Sequence, residues 1–389
     1  MEYQHGGDIY SQKIRLDYSA NINPFGMPEE VRDELVRCLD SDVCSVYPDS
    51  RCRKLRSALG LHHSLQEQWI ICGNGAADLI FGLTAAIKPG HGLVTAPSFS
   101  EYQQALAAAG CRTDHFILRE EEGFVPDIGE MCGCILKADR QGDAYDIVFL
   151  CNPNNPTGIP VEREGVEELA KTCLRTGALL VADECFCDFL DIPQAYSVIP
   201  SLCRFENLFV LKAFTKLYAM AGLRLGYGLC SNESLLERLE AARQPWSVSG
   251  LAQRAGVAAL GAQAYVETTR RVLGHEREWL GGALSGMGFN VYPSRANYLF
   301  FRDNEEEARQ ERGWKMEDGT GCRKNWGKKW EKGWLYHQLL EQQVLIRSCA
   351  NYPGLDSSYY RICVRLREEN RQLVRQMRLV LERDTPLGS

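Results

Sequence analysis

Between about residues 65 and 230, short apolar runs alternate with segments of helical length, and this alternation constrains the fold more than any other feature. The runs "QWIIC" (68–72), "GLVTA" (92–96), "YDIVFLC" (145–151), "ALLVADE" (178–184) and "NLFVLKAF" (207–214) read as strands. "AADLIFGLTAAI" (76–87), closed by Pro89-Gly90, and "EREGVEELAKTCLRT" (162–176), closed by Gly177, read as helices. Apolar strands separated by helices predict an α/β fold with a mostly parallel sheet covered on both faces. The amphipathic stretch from about Asn232 to Gly282 is expected to be helical and to lead to a second domain. Residues 283–389 combine "NYLFF", "VLIRS" and "YYRICVRL" with a final helix near 368–383, which predicts a smaller α+β domain. The expected division is an N-terminal arm and first helix over 1–40, a large domain over 41–245 and a small domain over 246–389. Residues 303–334 interrupt the pattern: they are acidic first and basic later, with four of the seven tryptophans, and read as a solvated surface insertion with some helix, the alternative being a lid or partner-binding patch.

A chain of 389 residues can bury two cores. Its net charge of −7 carries no positive excess of the kind that nucleic acid or an anionic membrane attracts. No apolar run approaches the roughly 18 residues of a membrane span. The N-terminus has no apolar signal-peptide core, so the expected compartment is the cytoplasm. Most of the sixteen cysteines are then reduced, buried, small hydrophobes. The pairs Cys132/Cys134 and Cys185/Cys187 lack a partner pair at zinc spacing, so no structural metal is expected.

In a parallel sheet, ligands gather at the carboxyl ends of strands. The first strand is followed by Gly73-Asn74-Gly75-Ala76-Ala77 and a helix, a possible phosphate cradle. The second is followed by Phe99, the third by Asn152-Pro153-Asn154-Asn155-Pro156-Thr157-Gly158. The fourth ends in Asp183-Glu184, and the fifth in Thr215-Lys216, with Arg224 after it. Each alone has an ordinary structural explanation. Together, a cradle, a stacking aromatic, an amide, a carboxylate, a lysine and an arginine suit pyridoxal 5′-phosphate. Asn155 to Asp183 spans 28 residues and Asp183 to Lys216 spans 33, each enough for one strand–helix–strand unit.

The ordered set "NNPTG", "ADE" and "TK" with "AGLRLGY" resembles fold-type I aminotransferases of class I/II. The resemblance is nearest to the branch holding histidinol-phosphate aminotransferases and threonine-phosphate decarboxylases, and it covers nearly the whole chain outside 303–334. It implies a large domain with a seven-stranded sheet, and these roles. Lys216 is the Schiff-base lysine and Asp183 the partner of the pyridine nitrogen. Asn155 donates to the phenolic oxygen and borders the substrate. Gly75, Ala76 and Ala77 form the cradle, Phe99 stacks on the ring, and Thr215 and Arg224 bind the phosphate. Tyr47 of "VYPDS" would reach the cofactor phosphate of a second subunit, which implies a homodimer with shared active sites. Arg361 of "YYRICVRLREEN" is the candidate for the substrate carboxylate. Arg365 and Arg367 are alternatives that could share its strand face. In "DECF", Phe186 stands where the family usually has a tyrosine, so Asn155 loses a helper.

"HGGDIY" (5–10), "LDYSANINPFG" (16–26) and "LIRSCANYPGL" (345–355) resemble the decarboxylases of cobalamin biosynthesis more than the aminotransferases. The resemblance makes His5, Asn21 and Arg347 candidates for gripping a small phosphorylated amino-acid substrate. The implied reaction converts L-threonine O-3-phosphate to (R)-1-amino-2-propanol O-2-phosphate. The alternative is transamination, as of histidinol phosphate. A non-catalytic ligand sensor is less expected: such regulators carry an extra DNA-binding domain, and here the aminotransferase pattern begins within the first few residues.

Overall fold

The computed structural model describes residues 6–303 and 333–382. Its contacts define two compact units. One comprises Ile22–Asn155 and Ile159–Arg271; the other comprises Met1–Asn21, Pro156–Gly158 and Val272–Ser389.

Strand β1 (Leu16–Asp17) belongs to the second unit. The first unit holds β2 (Ile70–Gly73), β3 (His91–Ala96), β4 (Arg112–Ile117), β5 (Ile147–Cys151), β6 (Leu179–Asp183), β7 (Leu208–Ala213) and β8 (Gly226–Leu229). They form one seven-stranded sheet in the order β2-β8-β7-β6-β5-β3-β4. Only β8 runs antiparallel to its neighbours. β3, β5 and β6 are buried along their whole length, as strands covered on both faces must be. One core packs Val94, Phe149, Val181, Phe209 and Leu211 against Leu79, Leu83, Tyr102 and Leu106 from the helices Ala76–Ile87 and Ser100–Ala108.

All five sequence-predicted strands are present, and two strands were missed. β4, "RTDHFI", is a polar edge strand with an exposed or half-buried side chain at every position. β8, "GYGL", is half glycine, because a side chain does not fit beside Phe209: a Cβ on Gly228 would lie 2.2 Å from the Phe209 ring. The expected helical stretch after Asn232 is three helices, Glu233–Ala242, Gly250–Leu260 and Gln263–Ser285. Pro245 cannot donate a helical hydrogen bond, and Ser249 starts the second helix by accepting from the Ala252 amide at 3.2 Å.

In the second unit β1 pairs in parallel with β11 (Val344–Leu345). An antiparallel sheet runs β12 (Arg347–Ser348), β13 (Tyr359–Cys363), β10 (Tyr298–Arg302), β9 (Asn290–Val291). "VLIRS" is therefore divided at Ile346 between two sheets. Tyr298, Phe300, Phe301 and Tyr360 are fully buried, and helix Arg367–Glu382 buries Leu373, Met377 and Val380. Of the 303–334 segment, residues 304–332 lie outside the described residues. Trp334 is a core residue, its indole N–H donating to Asp303 at 2.6 Å. No helix among the described residues is long and apolar enough to cross a membrane.

Gly228→Ala should destabilise the protein by about 1–3 kcal/mol through overpacking against Phe209, read as a lower urea midpoint with unchanged slope.

Candidate active site

The β2–β8 pairing sets Gly73 opposite Gly226. This brings the start of β8 against the turn after β2: a Cβ on Gly226 would lie 2.6 Å from the Ala76 nitrogen. Gly75 has φ +82° and leads into helix Ala76–Ile87, whose N-terminus no side chain caps. Arg224, at φ +58°, lays its guanidinium on the same turn; a Cβ on Gly75 would lie 2.7 Å from Arg224 Nη2. A guanidinium and the positive end of a helix dipole repel each other unless an anion lies between them. Gly75, Ala76 and Arg224 are thus gathered at one turn that could hold a phosphate, with Ala77 the next residue of the helix.

Asp183 ends β6 and is 5% exposed. Burying a carboxylate requires donors, and it has them: Tyr102 Oη donates to Oδ2 at 2.6 Å and the Cys185 amide to Oδ1 at 2.9 Å. Tyr102 stacks on Phe149 with centroids 4.8 Å apart. Burial first, and the Asp183 charge second, hold its phenol well above the ordinary tyrosine range. Phe99 directly precedes helix Ser100–Ala108, its ring 5.6 Å from Tyr102. Sequence reasoning missed Tyr102. The available signal was its place three residues after Phe99, one helical turn along the same face. Beside Phe99, the buried Ser98 Oγ has no hydrogen-bond partner among the described residues. Asn155 is buried at the end of the β5 turn, which Asn152 braces by exchanging hydrogen bonds with Val161 at 2.8 and 2.9 Å.

β7 continues into a single helical turn, Phe214–Leu217, that carries Thr215 and Lys216. Thr215 is buried; Lys216 is half-buried, with Nζ 5.9 Å from the centroid of the buried Phe186 ring. The deeply buried lysine of this region is Lys212, 2% exposed and paired with Asp188 at 2.8 Å, and sequence reasoning passed over it. A lone lysine within an apolar strand was its signal.

Tyr47 lies in the same unit. It is 80% exposed and packs against the exposed Trp246 with centroids 4.8 Å apart, beside the exposed Val46.

In the second unit, β12 and β13 set Arg347 directly opposite Arg361, and both are buried. Arg361 donates to the Ser19 carbonyl at 2.7 Å and its guanidinium lies 5.6 Å from the Tyr298 centroid. Arg347 donates to Asn351 Oδ1 at 2.8 Å. Like charges directly across a sheet are destabilising, and two buried arginines there could hold anions. Asn21 is buried, its Oδ1 without a partner among the described residues. His5 lies outside the described residues. The glycines after it pack on Ser19, where a Cβ on Gly6 would meet the Ser19 carbonyl at 2.2 Å and the Gly7 amide donates to Oγ at 2.7 Å. Arg365 and Arg367 do not share the Arg361 strand face, because the strand ends at Cys363. Arg365 pairs with Glu369 at 2.6 Å and Arg367 with Glu276 at 2.9 Å.

Tyr102→Phe, which removes a donor from a buried carboxylate, should cost about 1–3 kcal/mol of stability, measured by urea denaturation at neutral pH.

Residues 13–377 match the family described as aminotransferase class I and II. A threonine-phosphate decarboxylase of Salmonella typhimurium is 37% identical over 97% of this chain and 96% of its own length. A histidinol-phosphate aminotransferase of Ruminiclostridium cellulolyticum is 28% identical over 94% and 92%. Among solved structures, the histidinol-phosphate aminotransferase from Clostridium acetobutylicum superposes with a TM-score of 0.80 at 26% identity, covering 95% of this chain and 99% of that one. With the strand order, the cradle and the Asp183 and Lys216 positions, these matches identify the chain as a member of the class I and II aminotransferase family.

Proposed function

We propose that the chain is a pyridoxal-phosphate-dependent lyase that decarboxylates L-threonine O-3-phosphate to (R)-1-amino-2-propanol O-2-phosphate in corrinoid assembly. One observation carries the choice of substrate: the buried arginines Arg347 and Arg361 stand opposite each other on one sheet. Threonine phosphate carries a carboxylate and a phosphate, one for each guanidinium; histidinol phosphate has only the phosphate, so a transaminase would fill both places only by alternating it with a dicarboxylate such as 2-oxoglutarate. The 37% identity to a relative named threonine-phosphate decarboxylase supports the same reading.

The residues fit the cofactor. The helix N-terminus at Ala76, with Ala77, Thr215 and Arg224, would take its phosphate. Phe99 would cover the ring, and Asn155 would donate to the phenolic oxygen. When bound, pyridoxal phosphate supplies the electron-withdrawing ring that accepts the electron pair left on Cα as CO2 departs. Asp183 holds a proton at the ring nitrogen, and Tyr102 keeps its carboxylate fixed while it does so. Arg361 binds the substrate carboxylate through its planar fork. Arg347, with Asn21 and His5, takes the substrate phosphate. Lys216 Nζ returns one proton to Cα, so the bond to CO2 is replaced by a C–H bond. Phe186 offers no hydroxyl beside Asn155, leaving that amide as the phenolic oxygen's side-chain donor. The exposed apolar side chains around Tyr47 support a homodimer in which Tyr47 serves the partner's site.

Purified protein with pyridoxal phosphate and threonine phosphate should release CO2 without any oxo acid. Turnover only with histidinol phosphate plus 2-oxoglutarate would instead establish a transaminase. Arg361→Lys should raise KM for threonine phosphate about tenfold or more, since an ammonium cannot reproduce a bidentate fork, whereas Arg365→Lys should change it little.

A further inference from the structure

Lys212 is buried and takes no part in the steps above. It lies on β7 one residue beyond Leu211, which is in register with Asp183. Strand alternation therefore sends Lys212 to the face opposite the Asp183 side chain. There its Nζ lies 2.8 Å from both carboxylate oxygens of Asp188. Asp188 sits in the turn Cys187–Phe189, two residues after Phe186, and its carbonyl accepts from Arg270 Nε at 2.7 Å. Nearby, the fully buried Glu184 accepts from Ser197 Oγ at 2.6 Å and the Val198 amide at 2.7 Å. Tyr227 lies across the strand pair from Lys212 and exchanges a hydrogen bond with His63 at 2.9 Å. A cavity of about 50 Å³, lined in part by His62, Asp188, Tyr218, Tyr227 and Arg270, adjoins the pair.

We propose that the Lys212–Asp188 pair is a positioning clamp for Lys216. It joins the turn that presents Phe186 to the strand four residues before Lys216, and so sets where Lys216 Nζ stands against the Phe186 ring. The inference rests on Lys216 being the cofactor lysine. Stability alone is a poor reason for such a pair, because apolar residues of similar size commonly stabilise a core as well as or better than a buried ion pair. A carboxylate whose two oxygens both face one ammonium instead fixes the relative position of two segments. Burial opposes both charges, and mutual attraction outweighs it: Lys212 is held well above and Asp188 below their ordinary ranges. The pair is therefore charged at neutral pH.

The test uses the holoenzyme, following the pH midpoint of the lysine-bound cofactor absorbance together with kcat, KM and melting temperature. Lys212→Met and Lys212→Met/Asp188→Asn should move the midpoint by about one unit and lower kcat about tenfold, with KM within about twofold. Lys212→Arg, which still reaches Asp188, should restore both. A folded double variant with wild-type midpoint and kcat, changed only in melting temperature, would overturn the clamp. Should the neutral variants not fold, Asp188→Glu keeps the charge and lengthens the arm; an unmoved midpoint there overturns it equally. A wild-type protein whose spectrum is the same as that of Lys216→Ala would overturn the cofactor reading itself. A wild-type band that the clamp variants leave in place would overturn only the clamp.

Discussion

A parallel sheet covered on both faces has no room for unpaired charge along its strands, and that burial constraint organises the larger unit. Ile147 to Leu150 and Leu179 to Ala182 are apolar and buried, so on these strands polar side chains begin at the ends, and the lysine within β7, Lys212, is paired with Asp188. Asp183, Asn155, Thr215 and Lys216 all stand at such ends. Asp183 is the buried carboxylate among them and depends on its donors. Tyr102 reaches it from a neighbouring helix, so a helix–sheet packing contact helps keep a carboxylate inside the protein.

Much of this was legible in the sequence, for a physical reason: the strands are apolar because they are buried, and the site residues follow them because they cannot interrupt them. What was not legible depended on partners remote in the chain. β4 shows no apolar run because it is an edge, and β8 shows none because half of it is glycine, Gly226 set against the Ala76 backbone and Gly228 against Phe209. Tyr102 resembles any core tyrosine until Asp183 is placed beside it. Lys212 and Lys216 are four residues apart, and an argument from burial applies more strongly to the first; only the fold shows that Asp188 accounts for it. The three C-terminal arginines could not be separated by spacing. The end of β13 and two glutamates distinguish Arg361 from the others.

The smaller unit expresses a different logic. Its arginines face each other across a sheet, with Ser19, Asn351, Tyr298 and Tyr352 against them. A carbonyl and an amide oxygen orient these guanidinium groups, whereas Arg365 and Arg367 pair with Glu369 and Glu276. The same residue type is thus proposed for recognition in one place and serves cohesion a few positions later. The glycines that follow His5 contribute by their smallness, since only a residue without a side chain can press on the Ser19 backbone that also holds Arg361.

On the proposed reading, the turn at Gly75, the uncapped helix end and Arg224 would seat a doubly charged tetrahedral anion, and nothing in that geometry distinguishes a cofactor's phosphate from a free one. Inorganic phosphate and sulfate would then compete for the place where the proposed cofactor is anchored. Preparations made in such buffers would load more slowly and less completely than those made in organic zwitterions, and apparent cofactor affinity would be a property of the medium as well as of the fold.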